Sequence, residues 1–115
     1  MTDHIEGRNC VYKNNERIAA ALPGVVDAFF KLHGEVCKDG ALSAKVKELI
    51  SLGIAIAVHC EGCIDCHIED ALKHGATPEE IAETVGAAIL MGGGPSMVYG
   101  GKALEALEQF QARQQ

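Results

Sequence analysis

Residues 47–67 read Lys47-Glu48-Leu49-Ile50-Ser51-Leu52-Gly53-Ile54-Ala55-Ile56-Ala57-Val58-His59-Cys60-Glu61-Gly62-Cys63-Ile64-Asp65-Cys66-His67. From Leu49 to Val58 this stretch is almost wholly apolar, and it shows no strand alternation. Ser43 stands upstream as an N-cap, so the spacing predicts a helix from Ser43 to about His59 at the centre of the fold. The Cys60-Glu61-Gly62 step breaks it. A following helix is expected from about Gly62 to His74, so that a tight αα-hairpin places the cysteines at its bend.

The same helical spacing extends in both directions, from Ile18 to Phe110. Upstream, a short helix is expected from Asn14 to Leu22. Pro23, suited to a first helical turn, opens another that carries Val26, Phe29, Phe30, Leu32 and Val36 and ends at Asp39-Gly40. Downstream, Gly75 stops the cysteine helix as a left-handed C-cap. Thr77, Pro78 and Glu80 form a capping box for a helix reaching Met91. Gly92-Gly93-Gly94-Pro95 is expected to be a loop, and a last helix runs from Ser96 to Gln111. The reading is an all-α bundle of about six helices. Residues 1–13, mostly polar, are expected to form an N-terminal arm, and 14–115 a single helical domain. Ile5-Glu6-Gly7-Arg8 resembles a protease-tag site and is left out of the fold argument.

A chain of 115 residues fits one domain. Its apolar residues make up 48%, yet three Phe, two Tyr and no Trp leave a core built from small side chains. So thin a helical core predicts a homo-oligomer. A net charge of −6 without a basic stripe excludes nucleic acid and anionic membrane as natural partners. The apolar run is far shorter than the roughly 20 residues a spanning helix needs. Five cysteines without an apolar signal region point to a reducing cytoplasm.

Wound as one helix at about 100° per residue, Cys60, Cys63 and His67 share an arc of about 60°, with Cys66 about 60° further round. Thiols in a first helical turn are favoured as thiolates by unsatisfied backbone N–H groups. His67, one turn on, accepts a proton from Cys63, and Glu48 orients the imidazole. Cys63 is thus the candidate nucleophile. A peroxide would leave it as sulfenic acid, and Cys60 would then close a Cys60–Cys63 disulfide. Three thiols with His59 and His67 nearby also suit structural zinc. Four ligands on one short helix cannot surround an ion, however, and no second Cys or His pair stands elsewhere. An iron–sulfur cluster would need Cys10 or Cys37 as its fourth thiolate. Both are otherwise plain thiols, Cys66 reads as a small packed residue, and His59 and His74 receive no chemistry. No metal and no cofactor are expected.

These residues resemble the core motif of the carboxymuconolactone decarboxylase superfamily, and within it the alkylhydroperoxidase D-like branch. The likeness runs from Lys47-Glu48-Leu49-Ile50 through Cys60 to His67. It continues over Ala71–Ile81 and Met91–Pro95, then Val98-Tyr99 and Lys102–Leu107, spanning roughly residues 25 to 110. It implies an alkylhydroperoxidase D-like helical bundle with the Cys-x2-Cys motif at the start of a central helix. By position it makes Glu48 and His67 a proton relay, Cys63 the attacking thiol and Cys60 the resolving one. It further implies a homotrimer or homohexamer, a peroxide or disulfide substrate, and an external dithiol or thioredoxin-like reductant. Gly62 stands where the best-studied branch has a histidine, which lowers the peroxidase activity expected. The decarboxylating branch lacks the thiol pair. The two other readings are a metal-binding or redox-sensing module, and an acid–base enzyme acting on a small cyclic acid through His67 and Glu48.

Overall fold

Six helices follow one another with short joins in the computed structural model, which describes residues 1–114. They are α1 (His4–Ala21), α2 (Pro23–Val36), α3 (Ala44–Ala57), α4 (Glu61–Lys73), α5 (Pro78–Gly92) and α6 (Gly94–Gln114). Among the described residues there is no strand. The boundaries rest on local chemistry. Ser43 caps α3 by accepting the Val46 N–H. Thr77 and Glu80 close the capping box of α5 around Pro78. At the end of α4, Ala76 N–H reaches the Ala71 carbonyl and Gly75 N–H the Leu72 carbonyl, with Gly75 at φ +86°. That Schellman closure needs a left-handed residue, which glycine adopts without a Cβ penalty.

Helices α3 to α6 bury one another around Leu52, Ile56, Ile64, Ile68, Ile81 and Phe110. Helix α4 is central: it packs on α3, α6 and α1. Helix α3 is less central than its apolar run suggests. Glu48, Leu52, Ala55 and Ile56 are buried, while Ile50, Ile54 and Val58 face outward. Ile50 and Ile54, with residues of α5, border an apolar groove of about 400 Å³. The glycine segment is also more helical than expected, because only Gly93, at φ +71°, separates α5 from α6.

Residues 4–13 of the expected polar arm instead form the first half of α1. Asp3 caps it, and two of its polar side chains, His4 and Arg8, find partners inside the bundle. His4, with no exposed surface, places Nδ1 2.5 Å from Asp65 Oδ1 and Nε2 2.7 Å from Glu105 Oε1. Arg8 pairs with buried Glu69. His4 and Arg8 lie one turn apart on α1, as Asp65 and Glu69 do on α4, so the two pairs match in register. The Ile5-Glu6-Gly7-Arg8 stretch is therefore part of the fold. Helix α2 packs on α1 and buries no residue completely, leaving Val25, Phe29, Phe30, Leu32 and Val36 exposed.

Candidate active site

Cys60 is the N-cap of α4, and its sulfur accepts the Cys63 backbone N–H at 3.2 Å. A sulfur in this place sits against the positive end of the helix dipole, where a thiolate is stabilised. Cys60 and Cys63 are joined as a disulfide, with Cα atoms 5.2 Å apart. Cys63 is exposed and Cys60 half-buried, so an incoming reagent meets Cys63 first.

One turn beyond Cys63 along α4, His67 Nδ1 lies 2.8 Å from Glu48 Oε2 on α3. Glu48 is 1% exposed, so its charge depends on partners. Burial alone would push its carboxyl pKa up, but the His67 hydrogen bond and charge, with the Cys37 hydrogen bond and the His33 charge, reverse that, and the group ionises below the ordinary range. The same hydrogen bond raises the pKa of His67 against the opposing effect of burial. With Nδ1 engaged, Nε2 is the ring nitrogen left for a proton from substrate or thiol. The structure thus brings Glu48 to His67 and Cys60 to Cys63. In this disulfide form the His67 ring bonds to Glu48, not to Cys63.

Sequence reasoning missed the other side of Glu48. The Cys37 thiol donates to Glu48 Oε1 at 3.5 Å, and its sulfur lies 3.6 Å from His33 Nε2. Burial, with Glu48 adding to it, pushes the Cys37 thiol pKa up. A search for paired cysteines or paired histidines passes over the mixed pair His33-x3-Cys37, although its spacing sets both on one helix face. Among the other thiols, Cys10 is exposed and Cys66 half-buried. Of the histidines at helix ends, His74 Nδ1–H donates to the Asp70 carbonyl at 2.8 Å. His59, at φ +62°, instead stacks on Tyr99 with ring centroids 4.7 Å apart.

An all-helical chain with a Cys-x2-Cys disulfide at a helix start and a buried Glu–His pair beside it defines a class of small thiol-bearing bundles. The profile of the carboxymuconolactone decarboxylase family matches residues 23–109, and the chain belongs to that family. An uncharacterized protein of Cupriavidus necator is 38% identical over 83% of this chain and 84% of its own length. Another, an uncharacterized protein of the cox locus of Paracoccus denitrificans, is 37% identical over 73% of this chain and 76% of its own. Among solved structures, a carboxymuconolactone decarboxylase family protein from Legionella pneumophila superposes with a TM-score of 0.90. It is 39% identical over 93% of this chain and 96% of its own. A family member from Thermotoga maritima gives a TM-score of 0.83 at 27% identity, over 95% of this chain and 92% of its own. Its description links it, as a possibility, to an antioxidative response. No helix among the described residues is long and apolar enough to cross a membrane.

Proposed function

We propose that this protein is a thiol-dependent peroxidase or disulfide reductase of the alkylhydroperoxidase D-like kind, cycling between a Cys60/Cys63 dithiol and disulfide. One observation carries the reading: the two sulfurs are bonded at the start of α4, one turn from the Glu48–His67 pair. In the reduced protein His67 takes the Cys63 proton. The Cys63 thiolate attacks the outer oxygen of a hydroperoxide, the O–O bond breaks, and the alkoxide leaves with the proton held by His67. Cys63 is then a sulfenic acid. Cys60 attacks its sulfur, the disulfide forms, and hydroxide leaves as water with the Cys60 proton. One thiol of an external dithiol or thioredoxin-like protein attacks exposed Cys63 and Cys60 departs as a thiolate held by the Cys63 N–H; the reductant's second thiol then attacks the mixed disulfide, releasing Cys63 as a thiolate and leaving the reductant as a disulfide.

Gly62 in place of a relay histidine favours disulfide exchange over rapid peroxide reduction. The working form is a homotrimer or homohexamer, supported by the apolar face that α2 leaves uncovered. The reducing cytoplasm supplies the dithiol the cycle consumes. The test is hydroperoxide consumption driven by a dithiol, compared across the wild type, Cys63→Ser and Cys60→Ser. Cys63→Ser should abolish turnover, and Cys60→Ser should stall at a sulfenic acid that a dimedone label traps. Full turnover in Cys63→Ser would overturn the proposal. Activity on a small cyclic acid without either thiol would replace it with acid–base chemistry at His67 and Glu48.

A further inference from the structure

The Cys37 sulfur has two neighbours that a lone packed thiol does not require. His33 Nε2 stands 3.6 Å away and Glu48 Oε1 3.5 Å away. The three ligand atoms all lie within 4.8 Å of one another. A tetrahedral zinc ion holds sulfur at about 2.3 Å and nitrogen or oxygen at about 2.0 Å, which sets the edges between ligand atoms at about 3.5 Å. The two separations from the Cys37 sulfur lie close to those edges, and the His33 and Glu48 ligand atoms are within 4.8 Å of each other. The donors also come from two segments, the end of α2 and the first half of α3, as a site surrounding an ion requires. A Cys37–Glu48 hydrogen bond would account for one separation. An i,i+4 hydrogen bond from the exposed His33 ring accounts for the other, and together the two contacts bring a nitrogen, a sulfur and an oxygen donor to one point.

We propose that His33, Cys37 and Glu48 form a site for zinc(II), distinct from the Cys60–Cys63 pair. Thiolate with imidazole selects zinc over magnesium or calcium, which take oxygen donors. Binding forms Zn–S, Zn–N and Zn–O bonds, and the Cys37 proton passes to water. Three protein ligands leave the fourth position to solvent. Glu48 is shared with His67, so a loaded ion draws on the carboxylate that otherwise orients the imidazole. On the thiol-cycle reading, which this coupling presupposes, zinc slows turnover.

Cobalt(II) is the probe, because thiolate coordination gives it an intense charge-transfer band and tetrahedral sites give strong visible bands. The titration uses the full, chelator-treated chain with the Cys60–Cys63 disulfide closed, so those sulfurs cannot bind. The expected result is one cobalt per chain with both signatures, displaced by zinc. Cys37→Ser should remove the charge-transfer band. His33→Gln, at an exposed position, should weaken binding at least about tenfold, the loss caused even by an outer partner of a metal ligand. A reduced Cys60→Ser/Cys63→Ser variant should retain the band. No thiolate band in the oxidised wild type, or a band surviving Cys37→Ser, overturns the site. The spectra are read without turnover, so failure of the thiol-cycle reading would leave them unchanged.

Discussion

Glu48 Oε2 and His67 Nδ1 meet at 2.8 Å across the α3–α4 hairpin, joining residues 19 apart in sequence. The carboxylate has almost no access to water, so the imidazole is its main source of compensating charge. Each group extends the ionised range of the other. The His67 pKa is raised, so its share of stability is present below the ordinary imidazole range and is lost as pH rises through the folded value. The Glu48 pKa is lowered, so its share is present above the ordinary carboxyl range and is lost as pH falls through the folded value. Glu48→Gln should therefore move the His67 titration to lower pH, followed by NMR of the ring protons in chelator-treated protein. It should also slow thiol turnover by about 100-fold, the usual worth of a positioned acid–base group. An unmoved ring titration would show that the contact has no electrostatic consequence.

Cys66 lies on the same helix as the disulfide but in a different environment. Burial first, then the charges of Asp70, Asp65 and Glu69, push its thiol pKa up to about 11. At neutral pH it is almost entirely protonated and a poor nucleophile. Iodoacetamide added to the reduced native protein at pH 8 should label Cys63 early and leave Cys66 unmodified until denaturant is added. Peptide mass spectrometry gives the order. Early labelling of Cys66 would make it an alternative resolving thiol.

The helices and the Cys60, Cys63 and His67 set were legible in the sequence because their signals are local, whereas Glu48, 19 residues from His67, stood out through the family resemblance. Caps such as Ser43 and Thr77 act within a few residues, and the cysteines are three apart. The arm was misread for the complementary reason. His4 and Arg8 read as polar surface until α4 supplies Asp65 and Glu69 as partners, from 61 residues away. Asp65 and Glu69 lie beside Ile64 and Ile68 on a buried stretch, which was the available clue: charge there requires a partner. The exposed half of α3 could not be told from a buried one, since Ile54 and Ile56 are the same residue on different faces. Composition alone does not say which face the neighbouring helices cover.

The Arg8–Glu69 pair makes a second electrostatic prediction. Burial works to raise the Glu69 carboxyl, yet Arg8, with help from Lys73 and Arg113, lowers it. A lowered carboxyl contributes stability above its unfolded range that disappears as pH falls through its folded value. Arg8→Met should leave the charge of Glu69 underpaired and cost about 3 kcal/mol near neutral pH. That loss should shrink on acidification, as Glu69 takes up a proton. Urea unfolding at neutral pH and at pH 4 separates the two conditions. An equal loss at both would mean that packing, not charge, is what Arg8 contributes.

Helix α2 carries Phe29 at 61% exposed and Leu32 at 58%, an arrangement a monomer in water does not favour. Covering the part of each such side chain that is still exposed contributes roughly 1–2 kcal/mol. Light scattering should give a mass three or six times that of the 12.2 kDa chain. Phe29→Glu should shift that mass downward while circular dichroism stays helical. A monomeric wild type at micromolar concentration would remove the oligomer from the proposal.

Gly62 sits just before Cys63, and its lack of a side chain has a packing cause. A Cβ there would come within 2.9 Å of Val11 Cγ2 on α1. Nearby on the same interface, a Cβ at Gly7 would come within 2.6 Å of Asp65 Oδ2. The two glycines let α1 lie close against the cysteine helix. On an open helix, glycine to alanine would stabilise by up to about 1 kcal/mol through propensity. Here overpacking should reverse the sign, so that Gly62→Ala costs about 1–2 kcal/mol and Val11→Ala in the same chain recovers most of it. By the same argument Gly62→His should be poorly stable alone, and in the Val11→Ala background should fold and gain peroxide turnover. Denaturant midpoints and hydroperoxide consumption test both halves. A Gly62→Ala variant more stable than wild type would mean that α1 yields freely, and the missing histidine would then need a chemical explanation in place of a steric one.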